Sequence, residues 1–263
     1  MEPFISVLIR AYNAEKYIKD AINSILKQRC KCPIEIIVLY DEGTIDRTWE
    51  RIEELQKTID ADNVTLRVIR HTHTSPFRSL QIGLKEARGE YTAILDYDNM
   101  YPPEYLETVN KVTKEHPEAT FLFTKALVIT NDGKIIGKLV DIPKYPYDIN
   151  KLTWGNYIDI NTIIIKKPCK EIIEKLLSKL QHRYFDWIFE DWLIAMIGLK
   201  FCKPLFIEDA FVYYRVHESN ITYGLSKNDY IKSLFNRERD MKTLIAMFYI
   251  FNDKNYIQIL QVH

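Results

Sequence analysis

Three pairs of acidic residues could carry chemistry, because each lies where the sequence predicts that a strand ends or a helix begins. The pairs are Asp41 and Glu42, Asp96 and Asp98, and Glu190 and Asp191. Carboxylate oxygens suit Mg²⁺ and Mn²⁺, which proteins often hold alongside substrate phosphates. Asp191 also lies among aromatic residues, where burial would raise its pKa toward the value that a general base needs. Taken singly, each pair has a simpler interpretation as a helix cap or a solvated loop.

A second candidate is the polar run at residues 213–222, which contains Arg215 and His217. An arginine can bind a diphosphate through two parallel hydrogen bonds, and a histidine can act as a further metal ligand. The simpler interpretation is an ordinary surface loop. The sequence contains neither Gly-x-Gly-x-x-Gly nor Gly-x-x-x-x-Gly-Lys-Ser/Thr, which disfavours a dinucleotide-dependent dehydrogenase and a P-loop enzyme.

The elements that would position the acidic pairs alternate between strand and helix in the first half of the chain. Four apolar runs predict buried strands, at residues 4–9, 34–40, 64–70 and 91–95. Apolar residues at helical spacing predict a helix after each of the first three strands, and Gly89 is the expected stop of the third. This order is typical of a parallel sheet, whose ligands collect at the carboxyl ends of the strands. Asp41, Asp96 and Asp98 should therefore lie at one edge.

The second half of the chain has a mixed pattern. Asn131-Asp132-Gly133-Lys134 predicts the turn of a β-hairpin. The predicted strands cover residues 121–129, 135–140, 160–165 and 205–207, and the predicted helices cover residues 105–116, 168–180, 187–199 and 227–251. Residues 141–157 and 208–224 are expected to be irregular. We predict an α/β fold in a single domain, with a mostly parallel central sheet, flanking helices and a C-terminal helix.

The composition limits the partners. The 263 residues include 36 Lys+Arg and 36 Asp+Glu, so the chain has no overall field that would attract nucleic acid. Its apolar runs are shorter than the roughly 20 residues that a membrane-spanning helix needs. The protein has four cysteines and no recognisable secretory leader, which predicts reduced thiols and a cytoplasmic location.

Five blocks of the sequence, in the same order, resemble the family 2 glycosyltransferases. The blocks are residues 5–18, residues 35–38 with 41–48, residues 83–91 with 95–98, Glu190-Asp191, and Tyr214-Arg215-Val216-His217 with Asn220. Together they extend over residues 4–222. The combination is much more specific than any block alone.

The resemblance implies a GT-A-type fold and an inverting glycosyl transfer of the hexosyltransferase type. The donor would be a nucleotide-diphosphate sugar of the UDP, GDP or dTDP type, and the acceptor a saccharide or a lipid-linked hydroxyl compound. Mn²⁺ or Mg²⁺ would neutralise the leaving diphosphate. Residues 1–100 would form the nucleotide-sugar-binding half, residues 101–224 the acceptor-side half, and residues 225–263 a helical extension.

The resemblance also assigns roles to individual residues. Asp191 would be the catalytic base, and Asp98, with Asp96 and His217, would bind the metal. The nucleotide sugar would contact Ala11, Tyr12, Asn13, Asp41, Glu42, Arg78, Asp96, Tyr97 and Arg215. A carboxylate of the Asp41–Glu42 pair can accept a hydrogen bond from the ring N–H of uracil, guanine or thymine, a donor that adenine lacks.

Two other classes of protein remain open on the sequence alone. A nucleotidyltransferase on a similar sheet would also use paired acids and a metal, although it usually has a glycine-rich, basic N-terminal loop. A non-catalytic protein that binds sugar nucleotides would need the same pocket.

The C-terminal helix carries apolar residues among lysines and arginines. They are Leu234, Phe235, Met241, Leu244, Ile245, Met247, Phe248 and Ile250. Core packing or a homodimer contact is the commoner explanation for such a stripe. The alternative is a peripheral helix that brings the protein to a lipid-linked acceptor at the inner face of the cell membrane.

Overall fold

Apolar runs rich in β-branched residues form one sheet, and amphipathic helices cover both of its faces. A computed structural model describes residues 4–59, 61–217 and 230–252, with side chains from residue 236 onward in the last range. The strands are β1 (Ile5–Ala11), β2 (Ile34–Asp41), β3 (Val64–His71), β4 (Tyr91–Ile94), β5 (Phe121–Ile129), β6 (Ile135–Lys138), β7 (Ile163–Lys166) and β8 (Pro204–Arg215). The helices are α1 (Ile18–Leu26), α2 (Thr48–Thr58), α3 (Pro76–Glu86), α4 (Tyr105–Glu115), α5 (Ile149–Trp154), α6 (Lys167–Leu177), α7 (Glu190–Phe201) and α8 (Tyr230–Phe251).

The sheet combines a parallel half with a mixed half, which confirms the predicted fold class. Its order is β3-β2-β1-β4-β7-β5-β6, and β8 pairs with β5. The first four strands are parallel, whereas β7 runs antiparallel to both β4 and β5. The parallel half brings the carboxyl ends of β1, β2 and β4 together, as the alternation of strand and helix predicted.

Side chains alternate across β1, and this alternation separates two hydrophobic cores. Val7 and Ile9 pack in the core that contains α1, α2 and α4. Leu8 packs in the opposite core, with α3, α6, α7 and part of α8. Arg10 shares the parity of Leu8, so it lies on the face of the sheet that α7 covers.

Several element boundaries differ from the prediction. β8 extends to Arg215 because residues 204–206 and 211–215 pair in parallel with β5 on either side of a register shift, so residues 208–215 are extended rather than irregular. The expected loop at residues 141–157 contains α5, whose first turn is capped by the carboxylate of Asp148. α7 begins at Glu190 rather than at residue 187, so Glu190 and Asp191 are its first two residues. Asn220 and the side chains of Leu234 and Phe235 lie outside the described residues.

The cysteines are paired, so the prediction of reduced thiols is wrong. Cys30 is bonded to Cys32, and Cys169 is bonded to Cys202. The second disulfide joins α6 to the residue after α7, a contact between positions 33 apart in the sequence that spacing alone did not predict. The pairing also removes one of the two grounds on which a cytoplasmic location was predicted. In the described part of the chain, no helix combines the length and the apolar character needed to cross a membrane.

Gly89 is required by a close approach of two backbone segments and not by a helix stop. α3 already ends at Glu86, and Ala87 after it is extended. A Cβ atom added to Gly89 would lie 2.6 Å from the backbone nitrogen of Ser6 and from the backbone oxygen of Tyr91. The backbones of β1 and β4 cannot retain their positions around a larger residue.

We expect Gly89→Ala to lower the free energy of unfolding by about 1–3 kcal/mol, the usual cost of overpacking, because backbone atoms must move. The measurement is urea denaturation followed by circular dichroism. Gly155→Ala is the matched control, since a Cβ there meets no heavy atom within 4 Å. Equal stabilities of the two variants would contradict the role assigned to Gly89.

Candidate active site

A cavity of about 900 Å³ lies at the carboxyl ends of β1, β2 and β4. Residues of the loop that precedes β7 and of the helices α7 and α8 also line it. Its acidic residues are Asp41, Asp96, Asp98, Asp159, Glu190, Asp191 and Asp240, and its arginines are Arg10 and Arg239. The structure therefore gathers one member or both of each predicted acidic pair in one cavity. This excess of carboxylates favours a cation, or a ligand that arrives with one.

Arg10, near the end of β1, joins the acids of two different elements. Its Nε and Nη2 donate to Oδ1 of Asp96 over 2.9 and 2.6 Å, and its Nη1 donates to Oε1 of Glu190 over 2.5 Å. Burial alone would lower the pKa of the guanidinium, but the two carboxylates outweigh burial and raise it. Arg10 thus holds the residues after β4 against the start of α7. Arg10 was not predicted from the sequence. The available signal was a charged residue directly after five buried positions of a strand.

A second connection reaches Asp96 from the loop before β7. Oδ1 of Asp159 accepts hydrogen bonds from the backbone and side-chain nitrogens of Asn161, over 2.9 and 2.7 Å. Oδ1 of Asn161 in turn accepts a hydrogen bond from the backbone N–H of Asp96 over 2.6 Å. Desolvation, aided by the nearby carboxylates of Asp96 and Asp98, raises the pKa of Asp159 to about 6 against the effect of the bonds with Asn161. The sequence analysis also missed Asp159, because it lies between a predicted loop and a predicted strand.

Asp191 has the environment expected for a proton acceptor near neutral pH. Its Oδ1 accepts a hydrogen bond from the backbone N–H of Trp192, and its Oδ2 accepts one from Nδ2 of Asn156, both over 2.8 Å. Desolvation, together with the carboxylates of Glu190 and Asp159, raises the pKa of Asp191 to about 7. The indole N–H of Trp192 donates to the backbone oxygen of Leu152, which fixes α5 beside the start of α7.

Asp98 faces a histidine from the segment after β8. Its Oδ2 lies 3.0 Å from Nε2 of His217, whose ring stacks on Tyr17 with centroids 4.8 Å apart. Arg215 is almost fully buried, and its Nε donates to the backbone oxygen of Asp98 over 3.1 Å. Its Nη2 donates to Asp20 over 2.9 Å. Arg215 therefore supports the position of Asp98 from outside the cavity lining.

The pair formed by Asp98 and His217 has the chemistry of two metal ligands. A carboxylate oxygen and an imidazole nitrogen 3.0 Å apart can share one divalent ion whose remaining ligands come from substrate phosphates and water. Asp96 is less available, since its Oδ1 already accepts from Arg10. Among the residues that the structure describes, no three His, Cys, Asp or Glu side chains are grouped as a metal site.

The cavity has an aromatic and polar end beside β1 and β2. Oδ1 of Asp41 accepts from the backbone N–H of Gly43 over 2.8 Å and lies 3.0 Å from Nδ1 of His73. Its Oδ2 accepts from the backbone N–H of Thr74 over 3.1 Å. The rings of Tyr12 and His73 lie 4.9 Å apart, and 44% of Tyr12 is exposed. His73 was missed because its loop matched no motif.

The other predicted nucleotide-sugar residues divide into two groups. Ala11 and Tyr97 line the cavity. Asn13, Glu42 and Arg78 lie outside its lining: Asn13 accepts a hydrogen bond from the backbone N–H of Ile45, Glu42 is exposed, and Nε of Arg78 donates to Asp186 over 2.7 Å. The partners of Asn13 and Arg78 lie 32 and 108 positions away in the sequence, so residue spacing did not predict them.

α8 completes the site from the far end of the chain. Arg239 lies 3.9 Å from Glu190, and its guanidinium stacks on Phe189 at 3.9 Å and donates to the backbone oxygen of Ile188. Burial lowers the pKa of Arg239, although Glu190 and Asp191 oppose that change. Oγ1 of Thr243 accepts a hydrogen bond from the backbone N–H of Phe189 over 2.8 Å. Sequence reasoning treated this helix as an extension and did not predict that it holds the start of α7.

Exposed apolar side chains line part of the cavity on the side of α5, α7 and α8. Trp154 is 91% exposed, and Trp187 and Leu244 are each 43% exposed. Asp191 lies in the same lining. A ligand held by these residues would place its polar groups near the carboxylates and its apolar faces against the indole rings.

Comparisons with known proteins point to one family. Residues 6–173 match the family described as "Glycosyl transferase family 2". An uncharacterised glycosyltransferase of Haemophilus influenzae is 28% identical over 244 residues, which cover 88% of this chain and 72% of that protein. One from Methanocaldococcus jannaschii is 30% identical over 183 residues, covering 69% of this chain and 59% of that protein. A Bacillus subtilis protein provisionally assigned to teichuronic acid biosynthesis, TuaG, is 26% identical over 62% of this chain and 60% of its own length.

Solved structures of S. aureus TarS have a similar fold. The complex of TarS residues 1–349 with UDP-GlcNAc gives a TM-score of 0.58 at 18% identity, covering 96% of this chain and 72% of that one. A longer TarS structure gives a TM-score of 0.56 at 20% identity, and the match covers 37% of its chain. The present chain thus spans less than two thirds of the length of several proteins that it matches.

We expect Arg10→Met to lower the free energy of unfolding at pH 7.5 by about 3–5 kcal/mol, because it leaves Asp96 and Glu190 without their shared buried cation. Without Arg10 the folded-state pKa of Asp96, which desolvation already raises, would lie still further above its unfolded value. Such a carboxylate costs little stability near pH 4 and progressively more as the pH rises through its folded pKa. The deficit of the variant should therefore be smallest at low pH.

The measurement is denaturant unfolding of the native protein and of Arg10→Met between about pH 4 and pH 7.5. Lys19→Met is the control, since the side chains of Lys19 and of its partner Glu54 are 40% and 51% exposed, so water screens the pair and its loss should change stability little. A deficit of Arg10→Met that did not change with pH would contradict the assigned charge pairing.

Proposed function

The chain belongs to glycosyl transferase family 2, and from this premise we propose that it is an inverting transferase that moves a sugar from a nucleotide-diphosphate sugar to an acceptor hydroxyl group. Because the chain belongs to this family, the alternative that it is a nucleotidyltransferase is no longer favoured. The observation that carries the proposal is Asp191, a carboxylate with a pKa of about 7 in the same cavity as Asp96 and Asp98. A non-catalytic sugar-nucleotide-binding protein would have no need for such a proton acceptor.

The nucleoside would bind beside β1 and β2. The exposed ring of Tyr12 offers a surface on which a base can stack, and the carboxylate of Asp41 can accept a hydrogen bond from a ring N–H. This chemistry favours uracil, guanine or thymine over adenine. A UDP sugar is the first candidate, since TarS, which has a similar fold, was solved with UDP and with UDP-GlcNAc.

The diphosphate would lie near Asp98 and His217. Seven acidic residues line the cavity, so an anionic diphosphate would be repelled without an added cation. Mn²⁺ or Mg²⁺ bound by Asp98 and His217 would supply the positive charge that stabilises the leaving diphosphate. Arg10 would keep Asp96 in place beside this pair, and Arg215 would do the same for Asp98 through its backbone oxygen.

Asp191 would take the proton of the acceptor hydroxyl group. As that proton leaves, the acceptor oxygen forms a bond with the anomeric carbon, and the bond from that carbon to the diphosphate oxygen breaks. Attack from the face opposite the leaving group inverts the anomeric centre, so no covalent bond to the protein forms. The bonds from Asn156 and from the Trp192 backbone would orient the carboxylate toward the acceptor.

The acceptor would enter on the side of Trp154 and Trp187. Indole rings can stack on the apolar faces of a sugar, which suits a saccharide acceptor. The likeness to TuaG supports a role in making a polysaccharide.

We expect Asp191→Asn to lower kcat by about 10²–10⁴-fold while UDP affinity stays nearly unchanged, because the proton is transferred only in the transition state. The measurements are UDP release from UDP-GlcNAc with a panel of saccharide acceptors, and calorimetry with UDP. Since the base must be ionised, kcat/KM of the native protein should fall as the pH drops below about 7. Asp209→Asn, in an exposed part of β8, is the control. Near-normal turnover of Asp191→Asn would remove Asp191 from the mechanism.

We expect Asp98→Ala to weaken UDP binding in the presence of Mn²⁺ by more than about tenfold and to abolish the difference between titrations with Mn²⁺ and with EDTA. His217→Ala should reduce that difference by a smaller factor, because the carboxylate of Asp98, the ligand type that Mn²⁺ and Mg²⁺ prefer, remains. Calorimetry measures both, and Asp209→Ala, in an exposed part of β8, serves as the control. An unchanged Mn²⁺ effect in Asp98→Ala would contradict the metal assignment.

A further inference from the structure

α8 has two faces with different environments. Its inward face, formed by Arg239, Thr243, Ala246, Met247 and Ile250, is buried. On its outward face five apolar or aromatic side chains are exposed, at spacings of three and four residues. They are Met241 (63%), Leu244 (43%), Ile245 (41%), Phe248 (72%) and Tyr249 (57%), and together they are called the outer face of α8 here. Packing against the core therefore accounts for Ala246, Met247 and Ile250 but not for the five side chains of the outer face.

The outer face of α8 continues onto the turn before α7. Phe185 lies beside Tyr249, with ring centroids 6.5 Å apart, and Nζ of Lys242 lies 5.2 Å from the ring of Tyr184. Tyr184 and Trp187 are 39% and 43% exposed. The combined surface is thus an apolar stripe with tyrosine, tryptophan and lysine at its margin, a composition that suits the boundary between lipid and water.

This surface reaches the cavity itself. Leu244 belongs to the outer face of α8, and both Leu244 and Trp187 line the cavity that contains Asp191. Whatever covers the outer face therefore lies next to the side on which the acceptor would enter.

We propose that the outer face of α8 docks on the surface of a lipid bilayer and holds the cavity at the level of the lipid headgroups. An amphipathic helix can lie in this plane with its apolar side chains among the upper acyl chains, and the exposed Arg237, four residues before Met241, then lies near anionic headgroups. A second copy of the chain is a poorer occupant. Five side chains are few compared with the roughly 20–30 residues a side of a stable protein interface.

Docking on a bilayer also indicates the class of acceptor. This step rests on the proposed function. An acceptor hydroxyl group on a lipid-linked compound is confined to the headgroup region. A cavity held at the level of the headgroups can bind this hydroxyl group while the lipid-linked acceptor stays in the bilayer. The apolar chain of such an acceptor would pass along Leu244 and Trp187.

The test is flotation of the full chain with vesicles of phosphatidylcholine and phosphatidylglycerol in equal amounts. The variant is Met241→Gln/Ile245→Gln/Phe248→Gln, which keeps helix propensity and changes none of the cavity residues. The matched control is Ile135→Thr/Ile136→Thr, which removes two apolar side chains, 50% and 53% exposed, from β6. We expect the native chain and the control to float and the triple variant to lose about tenfold or more in partitioning.

Several results would overturn the proposal. The first is that the native chain does not float, and the second is that the control loses as much flotation as the triple variant. The third is a dimer, detected by light scattering, that the triple variant abolishes; this result would assign the outer face of α8 to a second copy of the chain. Loss of flotation on deleting residues 253–263 would transfer lipid binding to that segment. If thermal unfolding shows that the triple variant is not folded, Phe248→Gln alone must still reduce flotation. UDP calorimetry on the same samples tests the proposed function separately, because lipid binding requires no nucleotide.

Discussion

The candidate site depends on how its buried negative charge is compensated. Arg10 is bonded to Asp96 and to Glu190, which belong to segments 94 positions apart in the sequence. Removing two carboxylates from water is unfavourable unless a cation with matching geometry accompanies them, and the fork of a guanidinium can serve two acceptors at once. One side chain at the end of β1 therefore fixes both the segment after β4 and the first turn of α7.

The other features of the cavity follow from that arrangement. With Glu190 held by Arg10, the next residue, Asp191, has its carboxylate among other acids and, within the described part of the chain, accepts hydrogen bonds from Asn156 and from the Trp192 backbone. Desolvation, together with the carboxylates of Glu190 and Asp159, raises its pKa, whereas Glu190 is bonded to the guanidinium of Arg10. Two adjacent acids thus have different environments, and the difference suits one for holding α7 and the other for exchanging a proton.

The sequence was informative about local pattern and uninformative about long-range partners. The βαβ order of the first half and the hairpin after Asn131 depend on neighbouring residues, and both were predicted. The length of β8 depends on its pairing with β5. The disulfide between Cys169 and Cys202 depends on the packing of α6 against α7. Neither feature can be predicted from the spacing of neighbouring residues. Arg10, Asp159 and Arg239 were missed for the same reason, since each acquires its meaning from an acid far away in the chain. The roles of Asp98, Asp191 and His217 stay predictions.

The contribution of Arg239 has a consequence for how the protein matures on the ribosome. Synthesis proceeds from the N-terminus, and a domain generally folds as a unit once its chain has emerged. A nascent chain that ends at β8 already contains the strands, Arg10 and the acids, but not the helix whose Arg239 and Thr243 hold the residues before α7. Such a partial chain has an unfinished pocket, whose carboxylates lack one of their two arginines. The pocket is therefore completed only after α8 has been synthesised and has packed against the residues before α7.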